Sequence, residues 1–391
     1  MSNLRDDNPS QAEKRSIKLP ILVFLVFSGW LYWWTSNNPL PDGYQNEYLH
    51  LGNSFDIFES LLRMDLWHLR WHAYTSYWAW GFYLPSWIGM LFTGKSLSMA
   101  ILSNLWYLGL LIWAMEHLDR EFDQKYSLLL LLFCPAVFGS MTRFEPNFAN
   151  ISFMAVGLLA LIRSQQFENR RWSLLWGLAL GIGLMMDRLT LGFFLVPAIL
   201  PIIWQKKFWQ SKTQKWNLLL GIGLVLLLSF AYYREFFLRH SGELLSQAPV
   251  GEIDSAGSLI VEDNPITWLY YPLSTLDSQA GLLIGALMLF GAFYSWKRKA
   301  SIEIQILQFS ILPALILFSI IAKKQPYYLM STLVPLAILA SYFRRTSSLA
   351  IGFGMLSWLS LGWGVFEMPN SIFPETWTSP KYVLAKPPSF L

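Results

Sequence analysis

Apolar residues in this chain are gathered into runs of roughly 16–21 residues, close to the ~20 that a helix needs to cross hydrocarbon. The runs fall at residues 18–36, 97–117, 126–142, 148–163, 172–187, 189–204, 216–233, 278–296, 304–322, 326–343 and 349–366. One further segment, AWGFYLPSWIGMLFTG at 79–94, is shorter, carries Pro85 near its middle and is aromatic throughout. By length and pattern it reads either as a short span or as a helix lying at the membrane surface. No repeat of 20–50 residues and no low-complexity stretch interrupts the series.

Charge chooses between the two readings. Arg5, Lys14, Arg15 and Lys18 place the N-terminus inside. If 79–94 does not cross, eighteen of the 29 basic residues fall on that same side, in the tail and in five short loops. If it does cross, every later basic loop moves outside, against the positive-inside rule. The sequence therefore predicts an all-α polytopic membrane protein with about 11 transmembrane helices and interfacial helices in the first outer loop. A cytoplasmic tail covers 1–17 and the membrane domain 18–366, with outer loops at 37–96 and 234–277 and an outer tail at 367–391. The first run lacks an A-x-A-like exit and reads as an uncleaved anchor.

Composition agrees: 54% of the 391 residues are hydrophobic and 14% charged, against about 45–50% and 25% in soluble domains. The single cysteine, Cys134, excludes a disulfide framework or a cysteine metal cluster and reads as a small core residue. The twenty tryptophans are mostly aromatic belt. The net charge of +4 says little, because loop charge sets orientation rather than partners. Neither a Gly-rich phosphate loop nor a Ser/His/Asp arrangement nor a nucleic-acid signature is present.

The acids Asp42, Glu47, Asp56, Glu59, Asp65, Glu145 and Asp187 all collect on the outer side, and long ordered loops usually carry function. The basic cytoplasmic loops read as topology determinants only. In PDGYQNEYLH, Asp42 and Gln45 have capping-box spacing, so Asp42 is either a plain N-cap or a base at lipid-phosphate depth, where partial desolvation raises a carboxylate's basicity. From there Tyr48, Leu49, Leu51, Phe55, Phe58, Leu61 and Leu62 give an apolar face for a helix resting on the bilayer, with Gly43, Glu47 and His50 on another. Arg143 and Glu145 share an outer turn, as a structural ion pair or as site residues. Asp187 and Arg188 form a second, very tight one. Lys323 and Lys324 lie at an outer end against the charge bias; they either snorkel or bind a lipid phosphate, with Tyr327 and Tyr328 as donors beside them. His72 and His240 could meet across the two long loops and hold a divalent metal, but no H-x-x-x-H spacing supports this over packing or substrate contact.

The order of these pieces resembles the C-type glycosyltransferase superfamily, in the branch of protein O-mannosyltransferases and lipid A aminoarabinose transferases. The resemblance covers about residues 18–345 and rests on PDGYQNEYLH, MLFTGKSLSMAILSNLW, RFEPNFANISFMAVGLLALIRS, WGLALGIGLMMDR and KKQPYYLMSTLVPLAILAS taken in sequence. It implies a sugar donor on a polyprenyl phosphate, a glycan, lipid or protein acceptor, and a site on the extracytoplasmic face of a bacterial inner membrane. It implies Asp42 as the base or as the residue that positions the acceptor; with Asp42 as base, the acceptor hydroxyl would attack with inversion at the transferred sugar. Glu145 matches the acid before the fourth span, Arg188 the basic residue after the glycine-rich fifth, and Lys324 or Lys323 the lipid-phosphate contact. The family's Asp-Glu pair reads Asp42-Gly43 here, which leaves open whether Glu47 substitutes. A transporter or flippase would instead place ionisable residues near mid-span. A polysaccharide polymerase or ligase would concentrate arginines in 234–277, which is net acidic.

Overall fold

The structure, a computed structural model, describes residues 18–37, 45–75, 79–186, 190–246, 259–260, 269–297, 300–320, 323–324, 326–343, 346–352 and 354–355. At 18, 45–48, 71–75, 239–246, 259–260, 277–278, 323–324 and 326–327 it describes the backbone alone. In chain order the helices are α1 (Lys18–Asn37), α2 (Gln45–Leu62), α3 (Leu66–Thr75), α4 (Leu84–Thr93), α5 (Leu97–Leu102), α6 (Asn104–Glu121), α7 (Ser127–Leu132), α8 (Pro135–Met141) and α9 (Asn147–Arg163). They continue with α10 (Arg170–Leu184), α11 (Gly192–Ile203), α12 (Lys206–Gln210), α13 (Lys212–Ser246), α14 (Tyr270–Ser274), α15 (Leu282–Trp296), α16 (Ile302–Ile320) and α17 (Leu333–Ala340). A two-residue antiparallel ladder, β1 (Leu259–Ile260) with β2 (Lys323–Lys324), ties two segments far apart in sequence.

The fold is all-α and polytopic. Among the described residues four stretches are both long and apolar enough to cross a membrane: Leu19–Asn37, Leu97–Glu121, Lys212–Leu238 and Ile302–Ile320. Asn147–Arg163, Gly192–Ile203, Leu282–Trp296 and Tyr328–Ala340 are shorter apolar helices. The run expected at 349–366 is described only as far as 355.

Three predicted segments take a different or more definite form. The run at 126–142 is two short helices, α7 and α8, because Pro135 has no N–H to donate and holds Cys134 extended (φ −67°, ψ 124°). The break is sheltered by protein: Cys134 is fully buried and its thiol donates to the Leu130 carbonyl (3.2 Å). Segment 79–94 is one 3₁₀ turn (Trp80–Tyr83) followed by α4, whose 10 residues span about 15 Å, too little to cross. Leu84, Ile88, Leu91 and Phe92 form its exposed apolar face, and Trp87 and Met90 its buried one. Helix α13 runs well past the predicted 216–233, because Tyr232, Tyr233 and Phe236 keep a buried face beyond the apolar run. That extension explains why α13 also packs on α3.

Helix α9 is the centre of the bundle. Every residue from Asn147 to Ile162 is buried, as expected of a helix apolar on all sides. It packs between α6 and α10, and α10 in turn packs on α13. The α10–α13 contact is backbone on backbone: a Cβ at Gly177 would overlap the Gly221 carbonyl oxygen and lie 2.8 Å from the Gly221 Cα. Outward, Leu219, Leu226, Phe230 and Phe237 form an exposed apolar stripe along α13, suited to lipid.

The 17 residues of α9 set a distance of about 25 Å between its two ends. At the C-terminal end Arg163 Nε donates to Glu121 Oε1 (2.7 Å) and its guanidinium lies 4.9 Å from the Trp172 ring. The turn that follows is unusual: Gln165, Gln166 and Phe167 all have left-handed φ, between 50° and 69°. Such a run costs about 1–3 kcal/mol per residue unless its surroundings hold it. Here Asn217 Nδ2 donates to the Phe167 and Glu168 carbonyls (2.8 and 3.2 Å), and Phe167 is buried edge-on against Trp176.

Candidate active site

At the other end of α9 lies the turn 143–147. Glu145 is buried, and its Oε2 accepts from Asn147 Nδ2 (3.1 Å). Arg143 is half-buried in the same turn. Asn104, at the first position of α6, fixes this turn to the bundle: its amide donates to the Met141 and Arg143 carbonyls, both at 2.9 Å. Asn104→Leu would leave two buried carbonyls without a donor, at about 1–3 kcal/mol each. A marked fall in the thermal midpoint of the purified protein is expected, and an unchanged midpoint would remove Asn104 from this role.

Aromatic side chains join the turn to segment 79–84. Phe144 is fully buried, with its ring 4.8 Å from Phe82 and 6.0 Å from Tyr83. Tyr107 of α6 donates to the Phe82 carbonyl (2.9 Å). A Cβ at Gly81 would lie 2.6 Å from the Met185 carbonyl oxygen, so Gly81 lets this segment touch the backbone at the end of α10. Helix α2 is attached by buried His50, whose Nδ1 is 3.0 Å from the Tyr83 hydroxyl. Burial pushes the Tyr83 phenol well up, so it remains the neutral hydroxyl in this contact. Ser54 and Ser86 hydrogen-bond one turn along (3.2 Å), and the Trp87 indole donates to Ser54 Oγ (3.1 Å).

The face of α2 turned to the protein is therefore His50, Ser54, Ile57 and Phe58, while Leu49, Leu61 and Leu62 are exposed. His50, expected on a face shared with Gly43 and Glu47, is buried and turned to Tyr83. Phe58, assigned to the bilayer face, is buried too. At the α2–α3 turn Asp65 caps α3 by accepting from the His68 backbone N–H (3.1 Å) and contacts the His68 ring (2.6 Å). Those bonds hold its carboxyl below the usual range. Glu59 pairs with Lys95 and with Arg63 (3.4 Å), joining α2 to the end of α4.

A fourth segment reaches the same region. The 3₁₀ turn Pro326–Thr332 packs on α8 and α9, the two helices that flank the Glu145 turn. It carries Tyr328, whose ring stacks on Phe318 at 5.3 Å. Lys323 and Lys324 precede it in β2 and pair with Ile260 and Leu259, so the second long loop is hydrogen-bonded onto the lysine segment.

Of the residues singled out from sequence, Arg143, Glu145 and Tyr328 thus sit on segments that the fold brings together. Asp42, Asp187 and Arg188 lie outside the described residues, and Glu47, His72, His240, Lys323, Lys324 and Tyr327 are described by backbone only. His72 and His240 belong to α3 and α13, which pack on each other. Among the described residues no three His, Cys, Asp or Glu side chains gather as metal ligands. Sequence reading missed Tyr83, Phe144 and Asn104. Only Asn104 carries a signal, being a lone amide inside an apolar run.

Residues 77–233 match the family model described as dolichyl-phosphate-mannose-protein mannosyltransferase. The resemblance to the C-type glycosyltransferase superfamily, in its protein O-mannosyltransferase and lipid A aminoarabinose transferase branch, therefore holds beyond the quoted motifs and extends to the fold. Two solved structures share that fold: ArnT from Cupriavidus metallidurans bound to undecaprenyl phosphate (TM-score 0.58) and the same protein in the apo state (TM-score 0.57). Each is 13% identical to this chain and is matched over 90% of it. The chain spans 66% of the length of these structures. No curated protein matches the sequence significantly.

Proposed function

We propose that this chain is a membrane glycosyltransferase that moves a sugar from a polyprenyl phosphate to an acceptor hydroxyl. The observation that carries the reading is the junction of segment 79–84 with the Arg143–Glu145 turn, between the two helices α8 and α9 on which the Tyr328 turn also packs. The family match over 77–233 and the likeness to an ArnT structure holding undecaprenyl phosphate support a lipid-phosphate donor.

In this reaction Asp42 accepts the proton of the acceptor hydroxyl as its oxygen bonds to the anomeric carbon from the face opposite the phosphate. The anomeric C–O bond breaks, its electron pair leaves with the polyprenyl phosphate, and configuration inverts. A glycosidase needs a second carboxylic acid to protonate an alkoxide leaving group. A phosphate leaves without that help, so one base and a set of cations suffice. Arg143, Arg188, Lys323 and Lys324 stabilise the phosphate as charge builds on it, and Tyr327 and Tyr328 donate hydrogen bonds beside them. Glu145, held by Asn147, orients these cations, and Glu47 and Asp187 stand at the acceptor. The site faces the extracytoplasmic side of a bacterial inner membrane, with the N-terminus in the cytoplasm. The acceptor is a glycan, lipid or protein hydroxyl. His72 and His240, on packed helices, are the pair a divalent cation would use.

Purified protein incubated with a radiolabelled sugar on polyprenyl phosphate and a membrane extract is expected to move label from the donor into extract glycans, lipids or proteins. Release of free sugar alone, or intact donor after exhaustive incubation, would overturn the proposal.

A further inference from the structure

The end of α9 opposite Glu145 carries a strap that is both basic and aromatic. Residues 204–216 read WQKKFWQSKTQKW and form a strap from α11 through α12 into α13. Its three tryptophans face outward, with Trp204 66%, Trp209 61% and Trp216 57% exposed, more than buried packing would leave. Two of them are nevertheless held. The Trp209 indole donates to the Ile203 carbonyl (2.7 Å), and Trp204 lies edge-on to Phe309 at 5.1 Å. The strap itself is pinned to the bundle by buried Phe208, by Lys207 on Glu168 (3.4 Å) and by Gln214 Nε2 on the same carboxylate (3.2 Å).

Glu168 is thereby taken. Among the described residues Lys206, Lys212 and Lys215 have no carboxylate partner, nor do Arg170 and Arg171 at the head of the neighbouring α10. Fixed, exposed indoles beside uncompensated ammonium groups match a headgroup layer: the rings suit the apolar–polar boundary and the lysines suit phosphate oxygens. The separation of about 25 Å from the Glu145 turn, set by the 17 residues of α9, is close to the ~30 Å thickness of a bilayer's hydrocarbon. The strap thus lies at the depth of the opposite leaflet's headgroups.

We infer that residues 204–216 bind anionic phospholipid headgroups of the leaflet opposite the proposed active site, with Lys206, Lys212 and Lys215 as phosphate contacts and the tryptophans as the seat for the glycerol and upper acyl region. This assignment is independent of the transfer reaction.

The test uses the full chain in nonionic detergent, where both ends are accessible, titrated with fluorescent phosphatidylglycerol and, separately, phosphatidylcholine. Wild type is expected to prefer phosphatidylglycerol. Each lysine near an anionic surface is worth about fivefold in affinity, so Lys206→Gln/Lys212→Gln/Lys215→Gln loses on the order of 100-fold. Its phosphatidylcholine binding should be unchanged. Lys212→Glu, a single exposed change, lowers phosphatidylglycerol affinity further than Lys212→Gln and serves if the triple variant does not fold. Arg63→Gln/Arg70→Gln, at exposed cations of the α2–α3 turn and of α3, should have no effect. Equal phosphatidylglycerol affinity in wild type and variants would overturn the inference. So would an equal loss in the Arg63/Arg70 variant, or displacement by millimolar inorganic phosphate as readily as by the lipid.

Discussion

Asp42→Asn is expected to fold as wild type and to lose about 10²–10⁴ of the transfer rate, the range a positioned general base contributes. Asparagine keeps the size and the capping oxygen of aspartate but cannot take a proton. The two readings of PDGYQNEYLH therefore separate in one substitution. A helix cap survives as the amide, at a cost of a few tenths of a kcal/mol at most. The loss should appear in kcat at saturating donor, since the cations assigned to the phosphate are untouched. Initial rates with lipid-linked sugar, together with a thermal midpoint to verify folding, decide the matter. A kcat within threefold of wild type would remove Asp42 as base. Glu47→Gln measured alongside addresses the missing second acid: a comparable loss there moves the proton to Glu47.

Gly177→Ala and Gly223→Ala are expected to change stability in opposite directions, although both add one methyl group to an apolar helix. At Gly177 the new Cβ meets the Gly221 backbone, which cannot rotate away, so α10 and α13 must separate. Overpacking costs about 1–3 kcal/mol and more where backbone is the obstacle. The lost contact spreads, because α13 reaches the bundle through α10 and α3. At Gly223 nothing lies within 4 Å of the added atom. There alanine gains about 1 kcal/mol of helix propensity over glycine. Thermal unfolding in one detergent is the measurement: a lower midpoint for Gly177→Ala and an equal or higher one for Gly223→Ala. The same sign in both would mean that α10 and α13 do not pack through glycine.

The architecture is readable because crossing a bilayer constrains run length so strongly. Among the described residues the predicted runs correspond to helices, even where Pro135 divides one in two. The surface assignment of 79–94, drawn only from the basic loops, agrees with a helix too short to cross. Orientation within helices is less readable. In α2 the side turned to the protein is chosen by Tyr83, 33 residues away, and hydropathy alone cannot anticipate a hydrogen bond from His50 across that gap. The candidate site shows the same division. Charged residues at run ends mark Arg143 and Glu145, as a structural ion pair or as site residues. The pieces that aim them, Phe144 against Phe82 and Asn104 under two carbonyls, look like ordinary core until the chain is folded. The left-handed Gln165–Phe167 turn carries no glycine to announce it, because its support comes from Asn217, far along the chain.

A helix hidden from lipid on every side has an implication for synthesis. Residues 147–162 emerge from the ribosome before α10, α16 and α17 exist to cover them. Until then Asn147, Asn150 and Ser152 face acyl chains or the translocation machinery, and the nascent bundle waits for its later partners. A chain truncated shortly after Arg163 would leave those amides uncovered, which makes it a natural substrate for membrane quality-control proteases.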